Sequence, residues 1–269
     1  MNKTIGFIGA GNMGSAMIGG LVASAFVKAS HIHIYDPDWS KVSSLKDTYG
    51  VQDSSGLENL VNQSDVLVIA VKPHIYPPVL QQIRSLIRQD HLVVSIAAGV
   101  TLHQLEEMVG ADKKIFRTMP NTPALVGTGM SAISPNENAT PEDLAFITDF
   151  FQSFGRCQVV AESLMDVVIG VSGSSPAYAF LFLESMADGA VKNGMARDQA
   201  YFFAAQALLG AATMVLETKK HPGELKDMVC SPGGTTIDAV ASLEKNGFRN
   251  AVIAAVDTAV QKAKAMRQE

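Results

Sequence analysis

Through the first 162 residues, short apolar runs alternate with longer stretches that have helical spacing. Thr4–Ile8, His31–Tyr35, Val66–Val71, Leu92–Ile96, Ile115–Thr118 and Gln158–Val160 predict strands. The run VLVIAV at 66–71 is apolar at consecutive positions, as a strand covered by helices on both faces requires. Strand alternating with helix predicts an α/β domain, residues 1–162, built on a doubly wound and mostly parallel sheet.

From residue 163 to 269 the pattern predicts helices only. This part holds 19 alanines in 107 residues, against 14 in the first 162. Ser163 with Asp166 reads as a capping box with Asp in place of Glu, and Pro176 and Pro222 suit first helical positions. Asn193-Gly194 and Asn246-Gly247 read as left-handed helix ends. A last helix is expected over about Arg249–Gln268, with Lys262, Lys264 and Arg267 set against its dipole.

Composition narrows the function. Hydrophobic residues make up 47% of the 269, but charged residues only 17%, and the net charge is -5. Charged residues average roughly 25% in soluble domains, so the deficit points to surface covered by something other than water. Mild acidity without a basic run argues against a nucleic-acid partner. Two cysteines, Cys157 and Cys230, cannot build a disulfide framework, and the N-terminus lacks a signal peptide's apolar block; both suit a cytoplasmic protein. The apolar stretch Ala200–Leu216 is broken by Gln206 and is short for a membrane span, so it predicts a buried helix. The six histidines lack ligand spacing, and no metal site is expected.

Gly9-Ala10-Gly11-Asn12-Met13-Gly14 fits G-x-G-x-x-G after a strand and at the start of a helix, the setting of a Rossmann dinucleotide site. Gly9 would permit the tight turn, Gly11 the approach of a pyrophosphate, and Gly14 close packing of helix on strand. Asp36, at the end of the second strand, admits two readings. It is an acceptor for the adenosine ribose, which favours NADH, or it merely starts the next turn or caps the following helix. The nearest phosphate partner is Lys41, so NADPH and NADH both stay open. Ala70-Val71-Lys72-Pro73 and Ala97-Ala98-Gly99 follow two further strands, where such sheets bind ligands. Lys72 leans toward the coenzyme or is an ordinary loop lysine.

The most informative segment is Ser231-Pro232-Gly233-Gly234-Thr235-Thr236, which breaks the chain between two helices. Free N–H groups and hydroxyls concentrated there make a carboxylate site, unless the threonines simply cap. Ser172-Gly173-Ser174-Ser175-Pro176-Ala177-Tyr178 leads into another helix and serves as a site or as a tight junction. A 3-hydroxyacid dehydrogenase is the competing enzyme class, but it needs a lysine soon after the domain junction, and residues 157–191 hold no Lys or Arg. A non-catalytic, coenzyme-sensing module would not need the second glycine turn.

GFIGAGNMG, AVKP, SIAAGVT, MPNTP, SGSSPAYAF and DMVCSPGGTTIDAV occur in an order that resembles the Δ1-pyrroline-5-carboxylate reductases over about residues 4–260. The resemblance implies a Rossmann domain followed by an all-helical domain that dimerises, and assembly as a homodimer and further as a decamer of five dimers. It also implies reduction of pyrroline-5-carboxylate to L-proline with NADPH, NADH remaining possible because of Asp36. Ser231, Gly233, Gly234, Thr235 and Thr236 would then hold the substrate, and the resemblance points to the Thr236 hydroxyl at the ring nitrogen.

The last helical stretch to explain is about Asp198–Thr218. Its apolar residues surround most of its circumference, and Gly210, Ala211 and Ala212 would let a partner helix come close. Such a helix is expected in a subunit interface.

Overall fold

The computed structural model describes residues 3–266. Among these, residues 3–174 with 258–266 form one packing unit, and Ser175–Asp257 the other.

The first unit is built on a sheet of β1 (Ile5–Ile8), β2 (Ile32–Tyr35), β3 (Gln52–Asp53), β4 (Val66–Ile69), β5 (Leu92–Ser95), β6 (Lys114–Met119), β7 (Gly129–Pro135) and β8 (Gly155–Val159). Its order is β3-β2-β1-β4-β5-β6-β7-β8. Pairing is parallel throughout except between β6 and β7. β1 and β4 are buried at every position because helices cover both faces. Between the strands lie α1 (Asn12–Ala23), α2 (Trp39–Tyr49), α3 (Leu57–Gln63), α4 (Tyr76–Ile83), α5 (Leu102–Val109) and α6 (Pro141–Gln152). Met17, Ile18, Leu21 and the edge-packed rings of Phe150, Phe151 and Phe154 fill one face. Leu60, Tyr76, Leu80, Ile83 and Leu105 fill the other.

Local chemistry sets the helix starts. Thr101 with Gln104 begins α5, and Thr140 with Asp143 begins α6, each as a reciprocal capping box. The box expected at Ser163 and Asp166 does not form. The short helix α7 (Met165–Val168) begins after Leu164 without a side-chain cap. Asp166 is instead buried, with its carboxylate 3.7 Å from the Arg117 guanidinium. That charge needs a counter-charge more than the helix needs a cap.

The second unit holds α8 (Ser175–Lys192), α9 (Arg197–Thr218), α10 (Pro222–Val229), α11 (Thr235–Lys245) and the start of α12 (Phe248–Ala265). No strand occurs there among the described residues. Phe182 packs on Phe248 with ring centroids 5.7 Å apart, and the Tyr178 hydroxyl donates to the Ala255 carbonyl. Asn246 ends α11, and Gly194 and Gly247 take positive φ. Arg267 and Gln268 lie outside the described residues.

The reading of the apolar stretch Ala200–Leu216 as short for a membrane span is corrected. α9 has 22 residues, and by length and apolar composition alone both it and the helical stretch Glu162–Lys192 could cross a membrane. In the single chain α9 is mostly exposed: Phe202 is 71% and Phe203 62% accessible.

Candidate active site

The turn after β1 shows why three glycines are spaced as they are. Gly9 has φ +107°, and a Cβ there would stand 2.8 Å from the Ala70 carbonyl. A Cβ on Gly14 would stand 2.7 Å from the Gly9 carbonyl oxygen, so α1 could not lie as close to the strand. Gly11 differs, because a Cβ there meets nothing within 4 Å. It is the N-cap of α1 and offers no capping side chain. The first-turn N–H groups, starting at Asn12 and Met13, have no partner within the helix, and the space beside Gly11 is open, a cradle that fits a diphosphate.

Asp36 starts the next turn through the Asp38 N–H, and its tie to Ala10 goes beyond both sequence readings. Its carboxylate accepts the Ala10 N–H at 2.8 Å and the Asp38 N–H at 2.9 Å, so it fastens the glycine turn to the end of β2. The helix cap is Asp38, which accepts from Ser40 N–H. Lys41 lies 3.3 Å from the Asp38 carboxylate.

The neighbouring strand ends converge on the same edge. Ala70 N–H donates to the Ile8 carbonyl, and Val71 leads to Lys72, an exposed residue just before the turn Pro73–Ile75. Ala97, Ala98 and Gly99 follow β5, with Gly99 at φ +81° and Met266 against it. A cavity of about 400 Å³ lies among Pro73, His74, Ala98 and Gly99. Tyr76 holds these two strand ends together: its hydroxyl donates to the Ile69 carbonyl at 2.6 Å and accepts from Ser95 Oγ at 3.1 Å. Burial pushes its phenol far above the ordinary range, so it stays a neutral donor.

Two supports were not assigned a role from sequence. Glu162 Oε1 accepts the Leu102 N–H at 2.7 Å and an Arg117 N–H at 2.8 Å, joining the loop after β5 to β6 and to the helix that follows. Asn121 accepts the Met130 N–H and donates to the Ser172 carbonyl at 3.1 Å. Ser172 lies in a single π-helical turn, Ile169–Gly173, where the Ser174 N–H reaches back to Ile169. Such turns gather at functional sites. The runs MPNTP and SGSSP hint at both residues, but nothing local shows that they bond across 51 positions.

In the second unit, Ser231–Thr236 forms one turn between α10 and α11. Gly233 has φ +69°, and the Gly234 N–H donates to the Ser231 carbonyl at 3.1 Å. Gly234 is the N-cap and makes no side-chain cap, so the threonines are not capping residues. Thr235 and Thr236 occupy the first turn with Asp238. Glycine at the cap leaves the first-turn N–H groups for a ligand, and a Cβ on Gly234 would crowd Ser231 Oγ at 2.4 Å. Among the described residues no cluster of His, Cys, Asp or Glu could hold a metal ion.

A mostly parallel sheet with a glycine turn at an uncapped helix start, followed by helices, places the chain in the Rossmann dinucleotide-binding class. Residues 162–266 match the pyrroline-5-carboxylate reductase dimerisation family, and residues 4–99 the family described as NADP oxidoreductase, coenzyme F420-dependent. The chain is 54% identical over 262 residues to pyrroline-5-carboxylate reductase of Escherichia coli, covering 97% of each. It is 43% identical to human pyrroline-5-carboxylate reductase 2, covering 94% of this chain and 81% of the relative. The Plasmodium falciparum pyrroline carboxylate reductase, solved with NADP bound, superposes with a TM-score of 0.91 at 37% identity, covering 99% of this chain and 98% of that one. The chain belongs to the pyrroline-5-carboxylate reductase family, whose coenzyme is NAD(P)H.

Proposed function

We infer that the chain reduces the cyclic imine 1-pyrroline-5-carboxylate to L-proline, the last step of proline biosynthesis. The observation that carries the site assignment is the uncapped start of α11 beside Thr236. Backbone N–H groups of Gly233–Thr236 bind the substrate carboxylate, with Ser231 at the turn's entrance. The Thr236 hydroxyl donates to the neutral imine nitrogen and relays to it the solvent proton that makes it an iminium, and so orients the imine carbon. Gly9, Gly11, Asn12, Met13 and Gly14 hold the diphosphate, Asp36 the ribose, and Ala70–Pro73 with Ala97–Gly99 line the path of the reduced ring. The coenzyme supplies the hydride to that carbon.

A protonated imine is already electrophilic, so alignment is the protein's main contribution. Orientation alone can lower such a barrier by about 7–11 kcal/mol. That suits a site without a buried Lys or His base. Proline formed in step with coenzyme oxidation is the expected assay result, with no oxidation of 3-hydroxyacids. Hydroxyacid oxidation without imine reduction would instead favour the competing dehydrogenase class.

The exposed apolar residues of α9 need cover, since burying one such side chain is worth about 1.5–3 kcal/mol. A match to a dimerisation family supports a homo-oligomer. The finer reading is a homodimer through α9 and a decamer of five dimers. Sedimentation at micromolar concentration is expected to give a dimer or a multiple of it; a monomer would contradict the α9 interface. Cys157 and Cys230 form no disulfide, which suits a reducing cytoplasm.

A further inference from the structure

We propose that this chain selects NADH over NADPH, and that Asp36 and Asp38 make the selection. The inference rests on the coenzyme reading above. The two coenzymes differ at the adenosine ribose, where NADPH carries a phosphate dianion in place of a hydroxyl. In this class of fold that ribose belongs at the end of the second strand.

Here that strand end is acidic and fixed. The Asp36 carboxylate is anchored by two backbone N–H groups, one of them in the glycine turn. A carboxylate has about four acceptor positions, so about two remain for a donating hydroxyl. A phosphate has no hydrogen to donate at neutral pH and meets the charge instead. Asp38, two residues on, is exposed, and Ser40 and Lys41 hold its carboxyl below the usual range. Its ion pair with Lys41 keeps the one lysine of this loop from a phosphate.

The cations that would offset a phosphate are already committed. Lys41 is paired with Asp38 and Lys46 with Asp53. Lys72 follows β4, on the opposite side of β1 from β2 and Asp36. The first arginine in the chain is Arg84, so this loop supplies no guanidinium fork.

The same loop carries its own reporter. Trp39 is the single tryptophan of the chain and is 56% exposed. Its emission overlaps the absorption of the reduced nicotinamide, so quenching reports binding without turnover. Titration of the intact protein with NADH and with NADPH is expected to show NADH binding roughly tenfold or more tighter, the scale of one close surface charge pair. The double variant Asp36→Asn with Asp38→Asn is expected to weaken NADH and strengthen NADPH. The amide introduced by Asp36→Asn keeps one oxygen for the Ala10 N–H and gives up the bond from the exposed Asp38 N–H, so the tie to the glycine turn is kept; a loosened turn would weaken both coenzymes together. Equal or tighter NADPH binding by the wild type, or loss of both coenzymes in the variant, would overturn the selection. Quenching by neither coenzyme would overturn the coenzyme reading itself, and the selection with it.

Discussion

Thr236→Val is expected to lower kcat by about 10²-fold or more, the usual loss when one aimed donor is removed from a reacting centre. Valine matches threonine in shape and has similar helix propensity, so α11 keeps its form. The hydroxyl makes no cap, because Gly234 occupies that position, and its loss leaves the helix start unchanged. Coenzyme affinity, read from Trp39 quenching, is therefore expected to stay at the wild-type value. Thr236→Ser, which restores a hydroxyl, is expected to recover much of the rate. Wild-type turnover by the valine variant would remove Thr236 from the mechanism.

Gly11→Val is expected to weaken both coenzymes by about 10²-fold or more, by filling the space a diphosphate needs against the backbone. Nothing in the protein lies within 4 Å of a Cβ at this position, so the folded chain tolerates the side chain. The remaining penalty is valine's poor capping, about 1 kcal/mol, which lowers Tm by only a few degrees. Gly9→Ala makes the contrast. It places a Cβ against the Ala70 carbonyl at a positive φ, and is expected to cost stability as well as binding. Equal coenzyme affinity in Gly11→Val and wild type would show that the turn does not hold the diphosphate.

The sheet was readable wherever its strands are clad on both faces. β1 and β4 are runs without a polar side chain, and β5 is apolar up to Val94, because no position faces water. β7 escaped because GMSAISP is bounded by Gly and Pro and carries small polar residues; it is a strand through pairing with β6 and β8. β3 is two residues long and has no periodicity to read. Asp166 looked like a local cap because its partner, Arg117, is distant in sequence.

The candidate site divides the same way. The glycine turns are legible because their chemistry is backbone chemistry, confined to a few consecutive residues. Asp36 stayed ambiguous because its partner, Ala10, lies 26 residues earlier. Thr235 and Thr236 invited a capping reading that only the helix boundary could remove. The ties made by Asn121 and Glu162 are long-range and leave no local pattern. α9 has apolar residues around most of its circumference, and the single chain leaves most of them exposed, so what covers them is not written in local sequence.

The most direct measurement mixes the purified protein with 1-pyrroline-5-carboxylate and reduced coenzyme, and follows proline formed together with coenzyme consumed. The expected result is one proline for each coenzyme oxidised, with NADH the better donor. Trp39 quenching by the coenzyme, with no proline formed at saturating imine, would contradict the account and leave a binding module in place of a reductase.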